Sequence, residues 1–218
     1  MVKIERTKIP PASLSEQKQK PNGSYKEPDV INQLFADFHE KCYICEQGEL
    51  QSIEVEHLLP HHNGKDLERK FDWNNLFLSC SHCNSVKNRQ EYERNIIDCC
   101  VVDPERMIHQ KLLDGKVSVT AIADTLEAEN TAALIEDCFE LRNRAIREKE
   151  CQVKVRNLQL TMNLLYKELD KYQSRKTEKT FRALRGMLNR TYKFSGFTRT
   201  YVRDNLDRYP ELAPYVEL

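Results

Sequence analysis

The chain has 218 residues, 39% hydrophobic and 31% charged, and its 34 basic and 34 acidic side chains cancel. That length holds one well-cored domain, or a small catalytic unit with an extension. The composition excludes a disordered chain, and no apolar run approaches the roughly 18 residues of a membrane span. Residues 1–6, Met-Val-Lys-Ile-Glu-Arg, lack the apolar core of a signal peptide, so a cytoplasmic protein with no membrane contact is expected.

In chain order, residues 1–28 carry Pro10, Pro11, Pro21, Pro28 and an Asn22-Gly23 turn signal. With few apolar side chains, this stretch reads as an extended or loosely attached arm. Asp29 is then placed to cap a helix to about Glu40, with Val30, Leu34, Phe35 and Phe38 on one face. From Cys42 to Arg94 the pattern breaks into a cysteine knuckle, a strand near 52–59 and a loop containing Asn63-Gly64. A second strand at 76–78 follows, then a helix from about Ser81 into Ile97. That order is β, β, α.

Beyond Pro104, segments 107–113 and 117–122 flank Asp114-Gly115-Lys116 as a hairpin. The remainder reads as helix. Thr131 is placed to cap one running to about Glu150, and Leu158, Met162, Leu165, Leu169 and Tyr172 form an apolar stripe. Phe181, Leu184, Met187, Leu188 and Tyr192 form another. The expected organisation is α+β: an arm (1–28), a ββα domain (29–103) and a mainly helical region (104–218) with a hairpin near 107–122.

The charge is unevenly spread. Residues 171–208 hold eleven basic and three acidic side chains, a local excess of +8 by difference. Such a segment, with Arg182 and Arg185 on it, is either a surface for phosphates or an acidic partner, or a solvated face offset by the six acidic residues of 124–140. Both readings stay open.

Eight cysteines in a cytoplasmic protein point away from disulfides. Cys42/Cys45 and Cys80/Cys83 are two C-x-x-C knuckles, which together supply the four thiolates a tetrahedral Zn²⁺ takes. The residues between them must fold as a unit, and no βαβ pattern surrounds either pair, which argues against redox pairs. Cys99, Cys100, Cys138 and Cys151 follow no ligand pattern.

Between the knuckles run Glu56-His57-Leu58-Leu59-Pro60 and Asp72-Trp73-Asn74-Asn75-Leu76, ending in Cys80-Ser81-His82-Cys83-Asn84-Ser85-Val86-Lys87. Over about 48 residues this resembles the HNH endonuclease (ββα-metal) motif. The resemblance implies phosphodiester hydrolysis, with His57 as general base: an imidazole of pKa near 6.5 is largely neutral at pH 7. Glu56 and Asn84 are the implied oxygen ligands of a divalent ion such as Mg²⁺. Asn75 is the middle Asn, shaping the loop that presents His57, and Lys87 and Arg89 are cations for substrate. The chain departs from many relatives in having Asn84 for a final His and Glu56 for Asp, which leaves the metal preference open. His61 and His62 are secondary loop histidines; His39, His82 and His109 have no supporting context.

The layout around the motif is similar to the HNH effectors of Septu and retron-linked anti-phage systems, the PtuB family. That resemblance implies control by a PtuA-like ATPase, docking on the arm and the helical half, with a retron reverse transcriptase and its msDNA as a further partner. DNA is the expected substrate. RNA such as tRNA, and a zinc-stabilised binding module without cleavage, are the alternatives.

Overall fold

The structure, a computed structural model, describes residues 1–140 and 145–218. At its centre, β1 (Ile53–His57) pairs antiparallel with β2 (Leu76–Cys80), Ile53 opposite Cys80 and His57 opposite Leu76. Every residue of β2 is buried, because β2 packs on both α2 (Pro28–Asp37) and α4 (Ser81–Lys87). Between the strands lie a short helix, α3 (Leu67–Phe71), capped by Asp66 accepting from Arg69 N at 3.0 Å, and a 3₁₀ turn at Trp73–Asn75. The fold is α+β, with the ββα unit in the expected order.

The arm differs from expectation. It is not loosely attached: Met1, Val2, Ile4 and Leu14 are buried, and α1 (Ala12–Lys18) forms within it. Thr7 donates through N and Oγ1 to Asp37 (2.9 and 2.8 Å), and Trp73 Nε1 donates to Thr7 O at 2.8 Å. The Arg6 guanidinium lies 4.5 Å from the Trp73 ring centroid and 5.2 Å from that of Phe77, where its flat face replaces an apolar side chain. Long-range contacts of this kind leave no periodic trace in sequence.

Helix boundaries moved for local reasons. Pro28 opens α2 at a position where a missing N–H costs nothing, while Asp29 accepts from Ser13 N and Oγ (3.1 and 2.5 Å), joining α1 to α2 instead of capping. Positive φ at His39 (53°) and Glu40 (57°) stops that helix early. The helix expected to reach Ile97 ends at Lys87. A 3₁₀ turn, Gln90–Tyr92, follows, and Arg89 and Tyr92 both bond Asp137.

The hairpin forms between β3 (Ile108–Leu113) and β4 (Lys116–Ala121), with Asp114 and Gly115 both at positive φ (48° and 76°). That is the two-residue turn whose twist matches paired strands. α5 (Leu126–Phe139) is capped by Thr125, which accepts from Ala128 N at 3.2 Å. Thr131 is buried inside it and accepts from Ile97 N at 2.9 Å. Part of the helix expected there, 141–144, lies outside the described residues. α6 (Ala145–Ser174) buries the whole stripe from Leu158 to Tyr172 and packs on α7 (Glu178–Met187). α8 (Ser195–Asp204), in the stretch read only as helix, packs on β3.

The basic segment is partly internal. Arg190, Arg199 and Arg203 converge on the buried Glu105 at 3.0, 2.8 and 3.0 Å, and Arg190 also holds Asp103 at 2.5 Å. These acids, and not the 124–140 stretch, neutralise them. Among the described residues no helix is long and apolar enough to cross a membrane.

Candidate active site and metal centre

Strand β2 ends in Cys80, whose sulfur accepts from Cys83 N at 3.5 Å, so the first turn of α4 carries Cys83 back beside it. The other knuckle follows α2 and is pinned to β2 by Tyr43 N donating to Leu78 O at 3.0 Å. The four sulfurs of Cys42, Cys45, Cys80 and Cys83 lie within 4.8 Å of one another and all are buried. A tetrahedral Zn²⁺ with bonds of about 2.3 Å needs sulfurs about 3.8 Å apart, and the cluster fits. The neighbouring Cys42, Cys45 and Cys83 side chains lower the Cys80 pKa from its ordinary thiol value.

One member of this centre was missed from sequence. Lys154 of α6 is buried, with Nζ 2.9 Å from Cys80 Sγ and 3.5 Å from Cys45 Sγ. Burial alone would lower its pKa, yet the surrounding cysteine sulfurs raise it well above its usual value. The available signal was its register: Lys154 stands four residues before Leu158, on the buried stripe of α6.

A cleft of about 440 Å³ opens beside β1, lined by Tyr25, Glu56, His57, His61, Asn84 and Lys87 among others. A five-residue helix such as α3 leaves its last carbonyls without helical partners, and site side chains take two of them. His57 Nε2 bonds Lys70 O at 3.1 Å. A carbonyl only accepts, so Nε2 carries the proton and Nδ1 keeps a free lone pair. Burial, reinforced by His61, Lys26 and Lys70 and opposed by the Lys70 bond, pushes the His57 pKa down to about 4, so the ring is neutral at pH 7.

The second carbonyl, Arg69 O, accepts from Asn75 Nδ2 at 3.0 Å. Asn75 also grips Leu59 from both sides, Oδ1 accepting from Leu59 N (2.7 Å) and Nδ2 donating to Leu59 O (2.9 Å). Asn75 is buried outside the cleft lining, and its side chain holds backbone on both sides of that loop. Asn75→Ala should therefore cost about 2–4 kcal/mol, since buried groups left unpaired cost about 1–3 kcal/mol each, and should lower kcat more than it changes KM. Unchanged melting and kinetics would remove that role.

Glu56 is buried and accepts from Tyr43 Oη at 2.8 Å. Burial raises its pKa, against the pull of Lys87 and Tyr43. Lys87 is drawn inward rather than exposed on α4. It is 3% exposed, with Nζ 3.1 Å from Leu58 O and 3.5 Å from Glu56 Oε1, because α4 packs on β1 and turns it inward. It pairs with Glu56 at the wall of the cleft. The half-buried Asn84 makes no side-chain hydrogen bond among the described residues, so its carboxamide is available in the cleft. One carboxylate and one amide oxygen fit the sparse protein donor set that Mg²⁺ takes beside several waters.

Arg89 is likewise tied down, 2.7 Å from Asp137 on α5. Arg182 and Arg185 are exposed on α7, the latter 5.2 Å from the Tyr215 ring centroid, with no ion pair among the described residues. His61 accepts from Gly64 N through Nδ1 (2.8 Å) and its ring centroid is 4.4 Å from that of His57, while His62 lines the cleft. His82 faces away from it, bonded to Glu150 and Cys138 O, and His109 pairs with Asp204. Tyr25, from the arm, is a cleft residue with no motif to announce it.

No curated protein matches the chain. The family model for HNH endonuclease matches residues 42–90, the span from the first knuckle through α4. With its paired strands, following helix and four clustered cysteines, that span of the chain is similar to HNH endonucleases.

Proposed function

We propose that this chain is a metal-dependent endonuclease that hydrolyses phosphodiester bonds in DNA, acting as an anti-phage effector under a PtuA-like ATPase. The observation that carries the chemistry is the free Nδ1 of a neutral His57 in one cleft with the Glu56 carboxylate and the Asn84 carboxamide. His57 removes the proton from the attacking water at Nδ1, and the Lys70 carbonyl stabilises the imidazolium through Nε2–H. Glu56 and Asn84 would hold a divalent ion, which would supply charge stabilisation to the phosphate and to the 3′ oxygen as its bond to phosphorus breaks and water adds. Lys87 and Tyr43 fix the Glu56 carboxylate in place. Arg182 and Arg185 form a phosphate-binding face.

The defence role is supported by layout: most of the chain lies outside residues 42–90, in an N-terminal segment and a mainly helical second half that offer surfaces for a partner. A retron reverse transcriptase with its msDNA is a further partner of that kind.

The test is incubation of the full chain, alone and with a PtuA-type ATPase, with plasmid and with total tRNA in Mg²⁺. Plasmid cutting that a chelator stops and added Mg²⁺ restores is the expected result. Cutting of tRNA alone moves the substrate to RNA, since water activation needs no 2′-hydroxyl. Binding without cutting of either polymer makes the chain a binding module. Charge reversal at Arg182 and Arg185 should weaken DNA binding and flatten its salt dependence; unchanged binding would reassign that face to a protein partner.

A further inference from the structure

A histidine anchored by one hydrogen bond is still free to swing about it, because the imidazole torsion has broad wells. His57 has the Lys70 carbonyl at Nε2 and the His61 ring beside it. The remaining side is closed by the N-terminal segment. Tyr25 meets the His57 ring edge-on, centroids 4.6 Å apart and planes at 79°, and also reaches His61 at 5.9 Å.

Tyr25 is itself held on both sides. Before it, Gly23 sits so close to α1 that an added Cβ would fall 1.8 Å from the Gln17 carbonyl oxygen, an approach only glycine permits. Gly23 O accepts from Lys70 Nζ at 2.9 Å, so one lysine holds His57 with its carbonyl and the 23–26 segment with its ammonium. After it, Lys26 pairs with Glu54 on β1 at 2.8 Å. Lys18 pairs with Glu68 at 2.5 Å, tying α1 to α3, the helix that supplies the Lys70 carbonyl.

We propose that Tyr25 is a positioning residue of the active site, and that residues 23–26 form a cleft wall holding the His57 ring with Nδ1 toward the scissile phosphate. This rests on His57 being the base. The segment then does more than decorate the domain: without it the motif keeps every residue and loses the orientation of one.

The experiment uses the full chain with Mg²⁺ and supercoiled plasmid, comparing Tyr25→Ala, Tyr25→Phe and Gly23→Ala by kcat, KM, melting and the side-chain ¹⁵N shifts of His57. Tyr25→Ala should lower kcat about 10- to 100-fold at constant KM, the scale expected when a reacting group is misplaced by about 1 Å. Its His57 shifts should move from one tautomer to a mixture. Tyr25→Phe keeps the ring and should stay within about threefold of the parent, the ring and not the hydroxyl making the contact. Gly23→Ala displaces the segment with Tyr25 intact and should reproduce both changes. A single tautomer and parental kcat in Tyr25→Ala and Gly23→Ala would overturn the proposal. So would a rise in KM alone, which would make Tyr25 a substrate contact. His57→Ala cutting at the parental rate would instead overturn the base assignment beneath it, a separate failure.

Discussion

His57→Ala is expected to lower kcat by about 10²- to 10⁴-fold, the usual worth of a positioned general base, with bound zinc unchanged. The size follows from what the cleft offers. With Nε2 engaged by Lys70 O, Nδ1 is the ring's one basic atom, and the pKa of about 4 keeps it unprotonated at neutral pH. His61 cannot step in through Nδ1, which already accepts from Gly64 N. The ring is half-buried and makes one backbone hydrogen bond, so the fold should survive its loss. Plasmid cleavage at saturating Mg²⁺, with zinc content and a melting curve on the same sample, checks it. Parental cleavage would refute the assignment.

Cys80→Ser should instead destroy the protein as a folded object. Cys80 supplies a sulfur to the cluster, caps α4 by accepting from Cys83 N, and accepts from Lys154 Nζ at 2.9 Å. A serine hydroxyl stays protonated and sits nearer the backbone, so all three functions weaken together. Structural zinc contributes about 10–16 kcal/mol in small domains, as much as the entire 5–15 kcal/mol stability of a typical protein. The expected outcome is insoluble or unmelting chain with no stoichiometric zinc. Unchanged metal content and a parental melting curve would show that Cys80 is not a ligand of a structural zinc.

What sequence revealed here was local and what it concealed was not. The knuckles, Glu56-His57 and Asn75 announce themselves by spacing, and the Asp114-Gly115 turn by the φ values those residues tolerate. Lys87 has the right spacing but turns inward, because burial is decided by how α4 packs on β1. Arg190, Arg199 and Arg203 look like a surface charge excess until Glu105, far back in the chain, is folded among them. The N-terminal segment was underestimated for the same reason. Its few apolar side chains are individually inserted, and its cleft residue, Tyr25, is placed by contacts with three separate elements.

Lys154 bears on portability. HNH motifs invite treatment as a cassette that can be cut out and grafted, yet here the ammonium that sits among the sulfurs arrives from α6, beyond the matched span. A graft ending at Arg89 or Ile97 would carry the sulfurs without their counter-ion and expose the face of α4 that α5 covers. Transplanting this domain means taking a length of the long helix with it.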